Sequence, residues 1–218
     1  MGRVYVIRRQ RSRVVSTFSV YCSILCASGL CAVAACTTDG QPQSTVENPT
    51  AIRQADDQGR KLPFKTLFPN RWSKNNNGTS YEPCTALTND DLASVGVDPS
   101  SAEDVALADH QTARGCLWRY VGNNMGRISQ ATGNRPSFEE NIRDRGWYKI
   151  SYNLTVGDRL VLVNSRDRFT CMTTVKSAHS PVHTTVIQTS HPPETSKLCA
   201  RAISFTKLTI PEMPLPIP

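Results

Sequence analysis

Eight cysteines are spread along 218 residues, and their neighbours divide them among three chemistries. Cys36 closes Val33-Ala34-Ala35-Cys36, a branched apolar residue, two small ones and a cysteine, followed at once by polar Thr37-Thr38-Asp39-Gly40. That order is a bacterial lipobox, in which the thiol forms a thioether to diacylglycerol and the cysteine becomes the new N-terminus. Cys22, Cys26 and Cys31 lie in the apolar run upstream and would leave with it. Cys84, Cys116, Cys171 and Cys199 remain, and four thiols in an exported chain are expected to form two disulfides. Their wide spacing argues against the close pairs of a zinc site. An even set also leaves no thiol spare for nucleophilic work.

The other side chains that could do chemistry point elsewhere. His179 and His183 are four apart, a metal-ligand spacing on a helix, but Pro181 between them opposes a helix and no cysteine or carboxylate stands near to complete a site. His110 is isolated, and His191 stands beside Pro192-Pro193 in a connection. The pairs Asp90-Asp91 and Glu139-Glu140 sit where helices begin, where acids favour the helix dipole. No serine-hydrolase elbow, phosphate-cradling loop or dinucleotide glycine pattern occurs. The sequence therefore nominates no catalytic, cofactor-binding or metal-ligating residue. It nominates Cys36 for lipidation and Cys84, Cys116, Cys171 and Cys199 for disulfides.

Charge supports an exported binding protein over a nucleic-acid binder. Arg3, Arg8, Arg9, Arg11 and Arg13, with no acid among them, precede the apolar run Val14 to Ala35, the order of a secretory signal. Removing residues 1–35 leaves 20 basic residues against 18 acidic ones, so a pI near 9 reflects mostly the signal. What remains is uneven. Thr37 to Ala113 holds 11 acids and 6 bases, whereas Arg114 to Arg168 holds 10 bases, nearly all arginine, and 5 acids. Such a segment can pair with the acidic half or present arginines to phosphate or carboxylate groups of a partner.

These residues must be positioned by the rest of the chain. Residues 36–61 are polar, with hardly a large apolar side chain, and read as a flexible tether behind the lipidated cysteine. Residues 62–209 form one domain's worth of chain, and 210–218, dense in proline, read as an extended tail. Thr88 with Asp91, and Ser137 with Glu140, each mark a helix start, with Gly96 and Gly146 as stops. Between them Cys116 to Val121 and Arg127 to Thr132 read as the first two strands, joined through Gly122-Asn123-Asn124. Trp147 to Leu154, Leu160 to Val163, Phe169 to Val175 and Val182 to Thr189 read as strands, and Glu194 to Leu208 as a closing helix. The expectation is an α+β two-layer sandwich: an antiparallel sheet of about five or six strands, helices packed on one face, and Trp118, Trp147 and Tyr148 in the core. Four cysteines allow three pairings; placement in the elements favours Cys84 with Cys199 and Cys116 with Cys171.

The lipobox, Glu82-Pro83-Cys84-Thr85-Ala86-Leu87-Thr88 before a short helix, Gly115-Cys116-Leu117-Trp118, Gly157-Asp158-Arg159-Leu160-Val161 and Leu198-Cys199-Ala200, in that order, resemble the LprB-like actinobacterial lipoproteins, a family with a domain of unknown function. The resemblance covers about Tyr81 to Leu208. It implies an extracytoplasmic domain on the cell membrane, held by a diacylglycerol anchor, with no established catalytic residues. The expected role is a non-catalytic binding or accessory module that recognises an envelope lipid, glycan or membrane protein partner. The alternative is a lipid or small-ligand carrier with an apolar cleft.

Overall fold

The computed structural model describes residues 51–122 and 126–218. The expected signal, Cys36, the first part of the tether and the tip of the Gly122-Asn123-Asn124 turn lie outside them. Seven antiparallel strands form one sheet in the order β1-β2-β3-β7-β6-β5-β4. The strands are β1 Val97–Asp104, β2 Ala113–Tyr120, β3 Arg127–Gly133, β4 Ile150–Val156, β5 Arg159–Ser165, β6 Thr170–Ser177 and β7 Ser180–Ile187. Two meanders, β1 to β3 and β4 to β7, join where β7 pairs with β3. The helices are α1 Asn89–Ser94, α2 Phe138–Arg143 and α3 Thr195–Thr209, with a 3-10 turn at Ile210–Glu212.

Local chemistry sets the short helices as the sequence suggests. Thr88 accepts from the Asp91 amide while the Asp91 carboxylate accepts from the Thr88 amide, and Ser137 and Glu140 make the same reciprocal pair. Gly96 follows α1 at φ +75, a backbone conformation that a side chain resists. Gly146 plays no such part: α2 ends at Arg143 with Asp144 as its cap.

The sheet has seven strands, and the additional one is β1, which the sequence hides. Val97-Asp98-Pro99-Ser100-Ser101-Ala102-Glu103-Asp104 has no apolar alternation and contains a proline. It is tolerated because β1 is an edge strand whose register with β2 shifts between Asp98 and Glu103, a bulge that bends the edge.

The core lies between the sheet and α3. Leu198, Ala202 and Phe205 are fully buried against it, with Phe205 5.5 Å from the Trp118 ring, centroid to centroid. A polar seam crosses this apolar layer. Thr206 meets Thr173 at 2.5 Å and donates to Thr184 at 3.1 Å, while Gln130 donates to Thr184 and Thr209 and accepts from the Tyr81 hydroxyl. Each buried polar group there has a partner, so the seam costs little and fixes the helix in register.

The disulfides are Cys84–Cys116 and Cys171–Cys199, which corrects the expected pairing. The reason is the sheet order. Cys116 on β2 and Cys171 on β6 are separated by β3 and β7, so three interstrand spacings of about 4.8 Å hold them roughly 14 Å apart, twice the reach of a disulfide. Instead α3 lies across β6, with Cys171 and Cys199 Cα atoms 5.0 Å apart.

Helices on one face alone is also corrected. On β6, Cys171 and Thr173 meet α3, whereas Lys176, of opposite parity, holds Glu139 of α2 at 2.8 Å. Thus α3 covers one face and α2 packs on β6 from the other. The chain ends also differ from a free tether and a free tail. In residues 51–61, Asp56 is buried and bonded to Arg60 and Thr85, and Ala55 bridges Lys61. In 210–218, Met213 is buried, Arg159 donates to the Met213 and Pro214 carbonyls, and the Ile217 amide donates to Ala178. After the 3-10 turn, proline keeps residues 214–218 out of helix and strand, but the core captures the segment.

Candidate binding face

Residues directly opposite one another in an antiparallel ladder share a face, so the register identifies the side chains on the face that α3 does not cover. One row runs Leu117, Ser129, Thr185, Met172, Asn164, Ser151 across β2, β3, β7, β6, β5 and β4. The next, toward one end of the sheet, runs Arg119, Arg127, Ile187, Thr170. On the other side of the first lies Gly115, Ala131, His183, Thr174, Leu162. Leu162 and Thr174 have no exposed surface, but Leu117, Ser129, Met172 and Thr185 are half-buried and Ile187 is exposed. The face is therefore closed at the α2 end and open at the end that bears Arg119 and Arg127.

A depression of about 520 Å³ occupies the open part, lined by Leu117, Arg127, Ser129, Thr185 and Ile187 with the segment that follows β7. It is a shallow trough of mixed polarity. A second, of about 200 Å³, adjoins it through Thr185 and is lined by Tyr148, Asn164, Arg166, Thr170 and Met172.

Antiparallel pairing gathers the arginines here. The end of β2 carries Arg119, the start of β3 Arg127, and the turn between β5 and β6 Arg166 and Arg168; the ladder puts these four at one end of the sheet. All four are exposed. Arg119 has a carboxylate partner, Glu103 at 2.8 Å, while among the described residues Arg127, Arg166 and Arg168 have none within 4.0 Å. Three other arginines of the segment make structural contacts. Arg114 and Arg159 are buried, and Arg135 pairs with Glu140.

Arg166 lies with its guanidinium carbon 3.2 Å from the centroid of the Trp147 ring, and Trp147 stacks on Tyr148 at 4.7 Å. Trp147 is not a core residue as expected: it is 52% exposed. Its indole N–H donates to the Asp144 carbonyl, which fixes the ring at the surface. Burial raises the Tyr148 hydroxyl above the usual tyrosine range, against the opposing charges of Arg166 and Arg145.

Hydroxyl–imidazole pairs, the first two members of a hydrolytic triad, occur twice. Thr174 Oγ1 lies 3.0 Å from His183 Nδ1, and Ser190 Oγ lies 3.0 Å from His191 Nδ1. Thr174 has no accessible surface, and among the described residues no carboxylate lies within 4.0 Å of either imidazole. Burial pushes the His183 pKa down to about 4, so its ring is neutral at pH 7 and serves as a hydrogen-bonding core group. His179 stands in the exposed turn before β7, and no cluster of three metal-ligand side chains occurs among the described residues.

On the α3 side a different charged cluster is wholly internal. Arg71 donates to both Glu82 carboxylate oxygens, at 2.9 and 3.1 Å, and to Asp104 at 2.9 Å; Arg114 donates to Glu82 at 2.8 Å and to the Tyr81 and Thr79 carbonyls. Arg71 also reaches Cys84 Sγ at 3.3 Å. Sequence reading missed this triad because Arg71 stands in a loop, where charge reads as solvated.

A protein-family model described as a protein of unknown function, DUF3558, matches residues 31–212. No curated protein and no solved structure matches the chain.

Proposed function

The chain belongs to the DUF3558 family of proteins of unknown function, and from that membership and the geometry above we propose that it is a lipid-anchored, extracytoplasmic binding module that recognises an acidic partner with the arginine-bearing end of its open sheet face. The finer placement, among LprB-like actinobacterial lipoproteins anchored through Cys36 to the cell membrane, rests on the lipobox and on the order of the motifs. No helix of the described residues is long and apolar enough to cross a membrane.

The observation that carries the recognition reading is the convergence of Arg127, Arg166 and Arg168, without carboxylate partners among the described residues, beside a trough that no helix covers. Guanidinium groups gain most when they meet planar or tetrahedral oxyanions in a fork, so an unpaired cluster favours an anionic envelope lipid, glycan or protein surface. The carrier alternative needs an enclosed apolar cleft. Here the apolar layer under α3 is filled by Trp118, Leu198 and Phe205, and the trough on the opposite face is open, which favours surface recognition. The residues on that face, chiefly Leu, Ser, Thr, Met and Asn, suit binding more than catalysis.

One experiment tests both halves: expression in an actinobacterial host with a labelled fatty acid, followed by chemical crosslinking in cells. Cys36→Ala is expected to lose the label and the membrane fraction. Arg127→Glu with Arg168→Glu, both exposed, is expected to keep the label and lose the crosslinked species. Label retained on Cys36→Ala, or crosslinking indifferent to the charge reversal, would contradict the reading.

A further inference from the structure

We propose that β4, the uncharged edge of the sheet, pairs antiparallel with β4 of a second copy of this chain across a two-fold axis at Asn153, joining the two sheets into one. This goes beyond the recognition reading and does not depend on which partner the arginine-bearing end takes.

The two edges of the sheet are built differently. β1 is guarded against pairing: it carries Pro99, the acids Asp98, Glu103 and Asp104, and a register shift that bends it. β4, Ile150-Ser151-Tyr152-Asn153-Leu154-Thr155-Val156, has no proline, no glycine and no charge. Its register with β5 is unbroken from Ile150 opposite Ser165 to Val156 opposite Arg159. Among the described residues its backbone bonds only to β5, so alternate N–H and C=O groups face outward along the whole strand. A regular, uncharged edge rich in β-branched and aromatic side chains is a template for another strand, and a chain that does not use such an edge blocks it, as β1 is blocked.

The strand also matches itself. Tyr152 stands opposite Val163, and Val163 opposite Thr173, which meets α3, so Ile150, Tyr152, Leu154 and Val156 lie on the α3 side and Ser151, Asn153 and Thr155 on the other. With the axis at Asn153, Ile150 faces Val156 of the second copy and Tyr152 faces its Leu154. On the other side Ser151 faces Thr155 of the second copy, and the two Asn153 amides meet, each with a donor and an acceptor to offer. Every pair agrees in polarity, and the whole strand is used. Ile150 and Tyr152 are 38% and 42% exposed, and pairing covers them with Leu154 and Val156, side chains already packed against the core.

The ends match in charge. The same register continues to Lys149 opposite Gly157, which brings exposed Lys149 of each copy beside the turn that bears Asp158 of the other, whose side chain is 78% exposed. The two-fold axis makes this contact twice, and no like charges meet along the strand because it has none.

The test is disulfide trapping in membranes of cells that express the full chain. The axis sets position 153 against itself with Cα atoms about 4.5–5.5 Å apart, within disulfide reach, whereas position 155 is displaced from its own counterpart by roughly 14 Å along the strand. Asn153→Cys is therefore expected to give a product of twice the chain's mass without reductant, and peptide mapping without reduction should place the bridge between two copies of position 153. Thr155→Cys is expected to give none. Adding Tyr152→Lys to Asn153→Cys sets a charge on an exposed edge position, and is expected to cut the product roughly tenfold or more while the unfolding midpoint stays that of the parent. No product from Asn153→Cys with its thiol open to alkylation, a product of any other mass, or equal products from positions 153 and 155 would overturn the pairing.

Discussion

Glu82→Gln is expected to destabilise the domain by about 3–5 kcal/mol, a large share of the 5–15 kcal/mol that holds a typical domain. The carboxylate is 1% exposed and faces two arginines that are equally buried, Arg71 and Arg114. Taking three charges out of water is expensive, and the cluster survives because one carboxylate answers two cations while the Tyr81, Thr79 and Gly115 carbonyls and Asp104 take the remaining donors. Removing the carboxylate leaves two buried cations facing each other with only Asp104 to answer them. Urea unfolding checks this, and a loss under about 1 kcal/mol, the value of a surface ion pair, would contradict it.

The same residue fixes the sign of the pH dependence. Burial alone would raise the Glu82 carboxyl, but the hydrogen bonds of Arg71 and the charges of Arg114 and Arg71 outweigh it and hold the group below its ordinary 4.5. A depressed folded value means that the stabilisation is present above pH 4.5 and is lost as pH falls through the folded value. Glu82→Gln removes that contribution, so the difference between parent and variant should narrow in acid.

Cys171→Ser with Cys199→Ser is expected to cost about 3–4 kcal/mol, from the chain-entropy value for a loop of the observed separation of 28 residues. Cys84→Ser with Cys116→Ser opens a similar loop of 32 and should cost a similar amount. The second bridge has a further consequence, since it holds the loop after Arg71 and Glu82 against β2, so its loss should couple to the Glu82 variant instead of adding to it. Thermal unfolding of the double and combined variants measures both effects. Peptide mapping without reduction should recover the pairs Cys84–Cys116 and Cys171–Cys199; a Cys84–Cys199 peptide would contradict the packing of α3 across β6.

What the residues revealed in advance follows from where local chemistry dominates. Thr88 with Asp91 and Ser137 with Glu140 name their helices because capping is decided within four residues. Strands β2 to β7 are visible in their β-branched and aromatic content. Pairing across the sheet is decided elsewhere. The disulfides depended on β7 inserting between β3 and β6, a non-local event that spacing does not encode. β1 was hidden because an edge strand need not alternate.

The candidate face was half legible. The run of arginines from Arg114 to Arg168 was plain, but its division into buried Arg114 and Arg159 and exposed Arg127, Arg166 and Arg168 required the register. Which face of β6 and β7 is open was hidden by threonine. Thr173 and Thr184 lie under α3 and Thr170 and Thr185 face outward, so polarity does not alternate with side. Trp147 looked like core by type, and its surface position follows from the bond of its indole to Asp144.

Recognition through the open face is tested most directly by placing a photo-crosslinking side chain, in cells, at Ser129 in the trough and, separately, at exposed Ser204 on the outer side of α3. The account predicts a discrete crosslinked product from position 129 that charge reversal of Arg127 and Arg168 removes, and none from position 204. Products from position 204 alone, or equal products from both, would contradict it.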